Sequence, residues 1–501
     1  MNKTILNLGD NFILNFCLLF LILLTINIAG PRVPSGNEFT YLVHLMKQWH
    51  PNYLAHDWTY AGTLPSHFIF NYLFGALTML MAVETVGWVG RVLTWGLVLF
   101  AFFKFGEKFP ISRWMVTVSI LLWMLYRQSA FMSDWILASF EAKCVAYIFL
   151  LFALVGIVNR RELSSALFLG LSFSFHPVVG LWGSAAVGLS LLCLRYPFGT
   201  LVKMGCWVIL GALPGILSTM TMVSGNYSIT AAQAKLTTLV WSPYELDPFY
   251  REKKLDIFVA TLFWFNWLQY RSDKDNQAVR FFFYFQASLG LVFVSGFLAR
   301  YLELYKYLIW MPMRLFPLFV LLFFFYSLMK ACVQVYNTHR LSPWLIGVGI
   351  FALLSFPNPV DRLAVELQNN YAAWNGQTDD VQKSLKWLAK NTPVDSVIIS
   401  PPWRKESFYL SERAQVANWW GPRFDRFDEW RERIESMLGD MTVKRGLKSY
   451  EEYYNHLRQV DIESIRKKYG GEYLVSAGSY TYPVVYQSGE CKVYALSRSQ
   501  T

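Results

Sequence analysis

A run of 19 residues near the start of the chain, from Asn11 to Ala29, contains no charged side chain. A helix needs about 20 such residues to cross roughly 30 Å of hydrocarbon, so this run predicts a membrane span. Because no small-x-small cleavage site follows, we interpret it as an uncleaved first helix with a cytoplasmic N-terminus. The 501-residue chain is 54% hydrophobic and only 16% charged, whereas soluble domains carry about 25% charged residues. These values exclude a cytosolic enzyme, a disordered chain and a fibrous repeat.

Further apolar runs predict about eleven crossings. Lys and Arg accumulate in short cytoplasmic loops, and the basic residues fall on one side if Phe68–Val83 does not cross; whether that run is interfacial or spanning stays open. Arg251, Lys253 and Lys254 disagree with this topology. The predicted spans are residues 11–29, 86–103, 113–129, 143–158, 163–176, 178–194, 204–222, 255–270, 281–299, 307–329 and 343–357.

The loop after the first span, residues 30–67, is long and aromatic. Loops of this length usually carry function. Its segment from Glu38 to Trp49 has apolar residues at helical spacing, which predicts an amphipathic helix on the membrane surface. With the N-terminus in the cytoplasm, this is the first outer loop.

The composition changes at residue 358, after which no membrane-length apolar run remains. VQKSLKWLAKNTP and FDEWRERIESMLGD predict helices, and so does the stretch from Tyr453 to Lys468. SVIISPP, EYLVSAG, PVVYQSG and CKVYALS predict strands. The sequence therefore predicts a transmembrane domain over 1–357 and a small extracytoplasmic α/β domain over 358–501.

Charge and cysteine content remove other classes of function. The formal net charge of +11 is explained in a membrane protein by cytoplasmic loops and anionic lipid, so we expect no nucleic-acid partner. Among the six cysteines there is no Cys-x-x-Cys pair, and no disulfide framework or structural metal is predicted. Without a Gly-rich phosphate loop, nucleotide hydrolysis is not expected.

The polar candidates for a site collect on the predicted outer face. Ionisable residues at a membrane edge are costly and point to function, and carboxylates beside basic groups suit general-base chemistry. Asp134 and Glu141 are seven residues apart, which predicts one face of a helix. The candidates are Glu38, His56, Asp57, Asp134, Glu141, His176 and Arg314.

Several segments together resemble the GT-C superfamily of integral-membrane glycosyltransferases, in particular bacterial GT-C-like multi-pass membrane proteins. The resemblance covers most of the chain and implies a GT-C-like helical body that uses a polyprenyl-phosphate-linked sugar as donor in the bacterial inner membrane. The segments are NEFTYLVHLMKQWHPNYLAHDW, FEAK, GLSFSFHPVVGL, WMPMRLFPL and NTPVDSVIISPP…SERAQV…DEWRERI.

The resemblance also implies roles for matching residues. It places a catalytic carboxylate in the first outer loop, which is Asp57 here, with Glu38 in reserve. A second acidic position corresponds to Asp134 or Glu141. Arg314 matches the basic residue that faces the lipid phosphate, for which a planar guanidinium is suited. His56 and His176 are the remaining substrate-binding candidates.

The sequence departs from the GT-C pattern in two places. Several of the implied residue roles also have a purely structural explanation. The second outer loop has no Asp-x-Asp pair, so we do not expect metal-assisted donor binding; Asn418-Trp419-Trp420-Gly421 is not the Trp-Trp-Asp signature of oligosaccharyltransferases. Asp57 and His176 can cap helices or turns. Asp134 and Glu141 can pair with Lys143 or Arg127. Arg314 can extend its guanidinium to the membrane–water interface without binding a ligand.

Three functions remain open. The first is an inverting glycosyltransferase in which Asp57 deprotonates the acceptor and Arg314 steadies the phosphate. The second is a lipid or small-molecule transporter, and the third is an inactive GT-C-like scaffold that binds a membrane-protein partner. The stretch from Trp403 to Arg433 is either a solvated surface or an aromatic platform for sugars.

Overall fold

The computed structural model describes residues 11–26, 32–61, 67–109, 111–130, 134–223, 229–250, 253–338, 359–375, 378–420, 424–442 and 447–496. The eleventh predicted span, 343–357, and the predicted domain boundary lie outside these residues. Two compact units are present: Met1–Pro31, Val89–Thr219 and Ala234–Tyr371 form the first, and Arg32–Trp88, Met220–Gln233 and Ala372–Thr501 form the second. The first outer loop thus belongs to the same unit as the C-terminal region.

The first unit is helical. Its helices are α1 Phe12–Ile26, α4 Val83–Gly106, α5 Arg113–Leu125, α6 Ala142–Val158, α7 Glu162–Phe175, α8 Pro177–Cys193, α9 Phe198–Val223, α10 Ala231–Leu236, α11 Pro243–Leu246, α12 Lys253–Ser272, α13 Gln277–Tyr301, α14 Tyr305–Leu308, α15 Leu315–Thr338 and α16 Pro359–Trp374, of which α4, α9, α10 and α16 continue into the second unit.

Four helices among the described residues are long and apolar enough to cross a membrane. They are Val83–Gly106, Phe198–Met220, Gln277–Tyr301 and Leu315–Gln334. Their length and composition identify an integral membrane protein. Six more apolar helices are shorter, at 10–17 residues, and the full set of eleven crossings stays a prediction.

Helices α7 and α9 approach each other closely at small residues. A Cβ on Gly211 would lie 2.5 Å from the carbonyl oxygen of Leu167. Pro214 lies inside α9 and supplies no N–H to its helical ladder. On either side of Pro214, the Ser174 hydroxyl donates to the Gly211 carbonyl at 2.8 Å and accepts from the Gly215 N–H at 3.1 Å. This hydroxyl therefore bridges the helix beside the proline.

Ser174→Ala is expected to lower the stability of the first unit, because the bridge beside Pro214 is lost without a replacement partner. Polar contacts between membrane helices contribute about 0.6 kcal/mol on average and up to about 1.7 kcal/mol. The measurement is thermal unfolding of the purified chain in nanodiscs. Ser164→Ala, which removes an exposed hydroxyl bonded to the Arg161 carbonyl, is the matched control. Equal melting temperatures for both variants would contradict the bridging role.

The second unit combines two helices and a 3₁₀ turn, which precede α4 in the sequence, with an α/β domain. Its further elements are α2 Glu38–Trp49, α3 Phe68–Gly75 with a 3₁₀ turn Ala76–Met79, α17 Asp380–Asn391, β1 Val397–Ile399, α18 Ser407–Ser411, β2 Ala414–Gln415, a 3₁₀ turn Phe424–Arg426, α19 Phe427–Leu438, α20 Leu447–Asn455, α21 Gln459–Tyr469, β3 Tyr473–Ser476, β4 Val484–Ser488 and β5 Cys491–Ala495. The predicted helices and strands of the tail are confirmed, except that Tyr453–Lys468 falls in two helices rather than one.

The five strands form one mixed sheet in the order β2-β1-β3-β5-β4. β1 is parallel to both β2 and β3, whereas β5 is antiparallel to β3 and β4. Helix α17 starts at Asp379, whose carboxylate accepts the Gln382 N–H at 2.8 Å. Its buried Leu385 and Leu388 pack against strand residues Ile398 and Val493, which gives this domain its core.

The predicted helix at Glu38–Trp49 is confirmed as α2, with bounds as expected. Its buried side chains Leu42, Val43 and Leu45 are covered by protein, since α2 packs against α3 and α18. The run Phe68–Val83 is helical from Phe68 to Met79, which is 12 residues or about 18 Å at 1.5 Å per residue. This is shorter than the roughly 30 Å of the hydrocarbon core, and the interfacial position of this run stays a prediction.

Candidate functional site

A cluster of four charged side chains lies inside the helical unit. Asp134, Glu141 and Lys143 are each at most 3% exposed, while Arg314 keeps 16% of its side chain exposed. Asp134 and Glu141 belong to an irregular segment before α6, Lys143 is in the first turn of α6, and Arg314 immediately precedes α15. Two carboxylates and two cations make the cluster neutral overall.

Asp134 is the centre of the cluster. Its Oδ1 lies 3.0 Å from Lys143 Nζ and 3.4 Å from an Arg314 terminal nitrogen, while Oδ2 accepts from Arg314 Nε at 3.1 Å and from the Tyr147 hydroxyl at 2.6 Å. Burial by itself would raise the pKa of the Asp134 carboxyl, but the two cations outweigh it and hold that pKa well below its usual range. Asp134 is therefore a fixed anion and a poor proton acceptor.

Glu141 forms the second half of the cluster. Its carboxylate lies 3.4 Å from Lys143 Nζ, accepts the Trp135 indole N–H at 3.1 Å and bonds the Ser139 hydroxyl. The Lys143 ammonium also sits 3.8 Å from the centre of the Trp135 ring, a cation–π contact. Lys143 is thus shared between both acidic residues, which confirms the pairing alternative that the sequence left open.

The expectation that Asp134 and Glu141 lie on one helix face is wrong. The segment between them is irregular, and α6 begins only at Ala142. The buried Gln128 amide explains this, because its oxygen accepts the N–H groups of Ile136 and Leu137 and its nitrogen donates to the Leu137 carbonyl. A side chain thus takes the backbone partners that a helix would need.

Arg314 is held by the turn that leads into α15. Its backbone N–H donates to the Met311 carbonyl at 3.1 Å, and a terminal guanidinium nitrogen contacts the Met311 sulfur at 3.1 Å. Met311 has a φ of 48°, a conformation that non-glycine residues rarely adopt. The preceding carbonyl of Trp310 accepts the Trp182 indole N–H at 2.6 Å. These contacts fix the guanidinium of a partly exposed side chain at the first residue before a candidate span.

Asp57 lies in the second unit and has a different environment. It is completely buried, and its carboxylate accepts three backbone N–H groups: Thr59 at 2.8 Å, Tyr60 at 3.3 Å and Gln415 at 2.8 Å. Gln415 belongs to β2, so this carboxylate connects the first loop to the sheet. Burial raises the pKa of Asp57 to about 6, against the lowering effect of the three N–H groups.

The other predicted residues have local partners. Glu38 is buried in the first turn of α2, where its carboxylate accepts the Ser35 N–H at 3.1 Å. His176 is the N-cap of α8, with Nδ1 accepting the Val179 N–H at 3.4 Å, as the structural alternative proposed. His56 is exposed. The structure therefore brings Asp134, Glu141 and Arg314 together, while Asp57, Glu38 and His56 belong to the second unit.

Tyr147 and Lys143 were not among the predicted site residues, although both touch Asp134. Tyr147 follows Lys143 by four residues on α6, and side chains at this spacing share a helix face. That spacing is the signal that could have identified the tyrosine. Trp135 and Ser139 act within the irregular segment, for which the sequence offers no such periodic signal.

Comparisons with known proteins give little direct guidance. No family model matches this sequence, and no curated protein matches it. Among solved structures, the chain is similar to the archaeal oligosaccharyltransferase AglB from Archaeoglobus fulgidus, in complex with an inhibitory peptide and a dolichol-phosphate. The likeness has a TM-score of 0.48 and 12% sequence identity over 93% of this chain and 69% of that chain. A likeness of this strength defines neither the fold nor the chemistry of this protein.

Proposed function

We propose that this protein is a membrane glycosyltransferase that takes a sugar from a polyprenyl-phosphate donor at the extracytoplasmic face. The observation that supports the proposal is the partly exposed Arg314 side chain, whose guanidinium is fixed by Asp134 directly before the apolar span Leu315–Gln334. The end of a span is where the phosphate of a membrane lipid lies. A planar guanidinium binds phosphate oxygens in pairs, so Arg314 is the proposed contact to the donor phosphate.

The proposed reaction breaks the bond between the anomeric carbon and the phosphate oxygen. The electron pair leaves with the polyprenyl phosphate, whose developing charge Arg314 stabilises. The acceptor hydroxyl oxygen bonds to the opposite face of the anomeric carbon, so the configuration inverts, and its proton passes to a carboxylate. Asp134 keeps Arg314 in place and acts as a positioning residue, because its own oxygens are already bonded to cations and to Tyr147.

Asp57 is the proposed base, although three backbone N–H groups already bond its carboxylate. A pKa of about 6 suits a base that works near neutral pH. To accept a proton from an acceptor, however, its carboxylate must release at least one of its three backbone N–H partners. Asp57 and Arg314 belong to different compact units, so separate variants test the two roles.

The test is transfer from a panel of radiolabelled polyprenyl-phosphate hexoses by the purified full chain in nanodiscs, with release of polyprenyl phosphate as the readout. Arg314→Gln is expected to reduce turnover by about a hundredfold, as loss of one transition-state donor does elsewhere, and Arg314→Lys by about tenfold because the charge remains without the fork. Arg300→Gln removes a guanidinium paired with Asp247 at 3.0 Å and is the matched control. Equal turnover in all variants would refute the role of Arg314.

A second candidate is the inactive GT-C-like scaffold. The observation that favours it is that the charged groups are already paired. The four charges of the cluster balance one another, and the Asp57 carboxylate oxygens accept backbone N–H groups. On this alternative, no donor in the panel releases polyprenyl phosphate. One integral membrane protein then co-purifies with the chain, and neutralising Asp57 does not change that association.

A further inference from the structure

A polar cavity opens into the helical unit between α12, α13 and α15, away from the charged cluster. Its walls are aromatic, including Phe109, Phe282 and Phe323, and its polar groups come from all three helices. The cavity has about 20 Å³ of room, enough for one group the size of a water molecule. The polar residues that line it are Asn266, Gln269, Gln286, Ser327 and Lys330.

Two carbonyl oxygens at this cavity lack a hydrogen-bond partner among the described residues. They are Asn266 Oδ1 and Gln269 Oε1, on side chains that are 4% and 3% exposed. The orientation of the Asn266 amide is fixed, because its nitrogen donates to Gln286 Oε1 at 2.7 Å and to the Val320 carbonyl at 3.1 Å. An acceptor that is buried without a donor is destabilising. The cavity therefore requires a small group that donates hydrogen bonds.

An ion pair adjoins the same cavity. The Lys330 ammonium lines it and bonds the Asp273 carboxylate, which directly follows α12. Lys330 is 4% exposed and lies on α15, whose last residue is Thr338. Gln269 is three residues from the end of α12, about 4.5 Å along the axis. The cavity thus lies beside the charged connection 273–276 between α12 and α13, and charged groups are costly inside the hydrocarbon.

We propose that this cavity binds a zwitterionic phospholipid whose headgroup carries a primary ammonium. The ammonium is the size of one water molecule and has three N–H donors, which fits the enclosed space and the two free carbonyl oxygens. The lipid phosphate pairs with the Lys330 ammonium, which the Asp273 carboxylate also bonds. This site is independent of the proposed glycosyl transfer.

The first experiment measures lipid binding by the unaltered chain in detergent micelles, through the shift in melting temperature as each lipid is titrated. The probes are phosphatidylethanolamine, its N-methyl and N,N-dimethyl derivatives, phosphatidylcholine and phosphatidylglycerol. Each methyl group removes one N–H donor and adds bulk, so the apparent affinity is expected to fall stepwise, by about tenfold or more across the series. Phosphatidylglycerol has the phosphate without the ammonium and is expected to bind as weakly as phosphatidylcholine.

A variant of a lining residue tests whether the lipid preference depends on this cavity. Gln269→Met replaces the free carbonyl with an apolar chain of similar length and is expected to abolish the preference for phosphatidylethanolamine. Thr261→Val, on the exposed side of the same helix, is expected to retain it. Equal affinity for all five lipids means that water alone fills the cavity and overturns the proposal, as does an unchanged preference in Gln269→Met. If that variant does not fold, the methylation series on the unaltered chain still decides.

Discussion

Lys143→Met is expected to destabilise the helical unit by about 3–5 kcal/mol, the usual cost of removing one partner from a buried ion pair. Lys143 Nζ is the cation shared by Asp134 and Glu141, at 3.0 and 3.4 Å. Without it the cluster carries a net negative charge, and Glu141 loses its cation while its carboxylate remains buried. The measurement is the free energy of unfolding of the purified chain in nanodiscs, followed by thermal and denaturant transitions.

Two further variants separate burial of charge from loss of packing. Lys235→Met removes a lysine from an exposed pair with Glu303, 3.3 Å apart, and exposed pairs are worth at most about 1 kcal/mol. The double variant Lys143→Met with Glu141→Gln restores neutrality and is expected to recover part of the loss. If Lys143→Met behaves like Lys235→Met, the cluster does not stabilise the fold, and its charges must then be accounted for by function alone.

The fold of the tail could be predicted from the sequence because its signals are local. Helix α17 ends at Asn391, just before Pro393, and the strand Val397–Ile399 is followed by two prolines, as the patterns VQKSLKWLAKNTP and SVIISPP indicated. Likewise, α2 has the bounds that its apolar spacing predicted. In each case the residues that determine the element lie within a few positions of one another.

The candidate site could be predicted only in part, because its contacts are not local. Arg314 meets Asp134 across 180 positions of sequence, and no spacing rule reports such a pair. The segment from Asp134 to Glu141 has a helical spacing but not a helical conformation, because the Gln128 amide binds its backbone. Polar residue types at a membrane edge thus selected Asp134, Glu141 and Arg314, which meet in one cluster, while tertiary hydrogen bonds decided their conformation.

Asp57 is also held by a contact that is not local in sequence, and its substitution is expected to give the second large loss of stability. Its Oδ2 accepts the Gln415 N–H from a position 358 residues away, so the sequence indicated a catalytic or capping role without the connection to β2. Asp57→Ala is expected to destabilise the second unit by about 3–5 kcal/mol, because three N–H groups lose their acceptor and each buried group left unsatisfied costs about 1–3 kcal/mol. Asp440→Ala is the matched control, since Asp440 accepts the Thr442 N–H in the same way but is exposed.

The pKa of Asp57 gives this residue a pH signature of definite sign. The folded value of about 6 lies above the ordinary value of 3.8, so the folded chain binds this proton more tightly than the unfolded chain. The contribution of Asp57 to the free energy of unfolding must therefore fall as the pH rises from about 4 to about 6, by about 3 kcal/mol in all. Asp57→Asn, which does not titrate, is expected to lack this slope, and the difference between the two pH profiles isolates it. If the pH profile of Asp57→Asn is parallel to that of the unaltered chain, the buried carboxylate does not titrate in this range. Turnover is a separate readout. If Asp57→Asn loses turnover while Arg314-dependent donor binding persists, Asp57 takes part in the reaction.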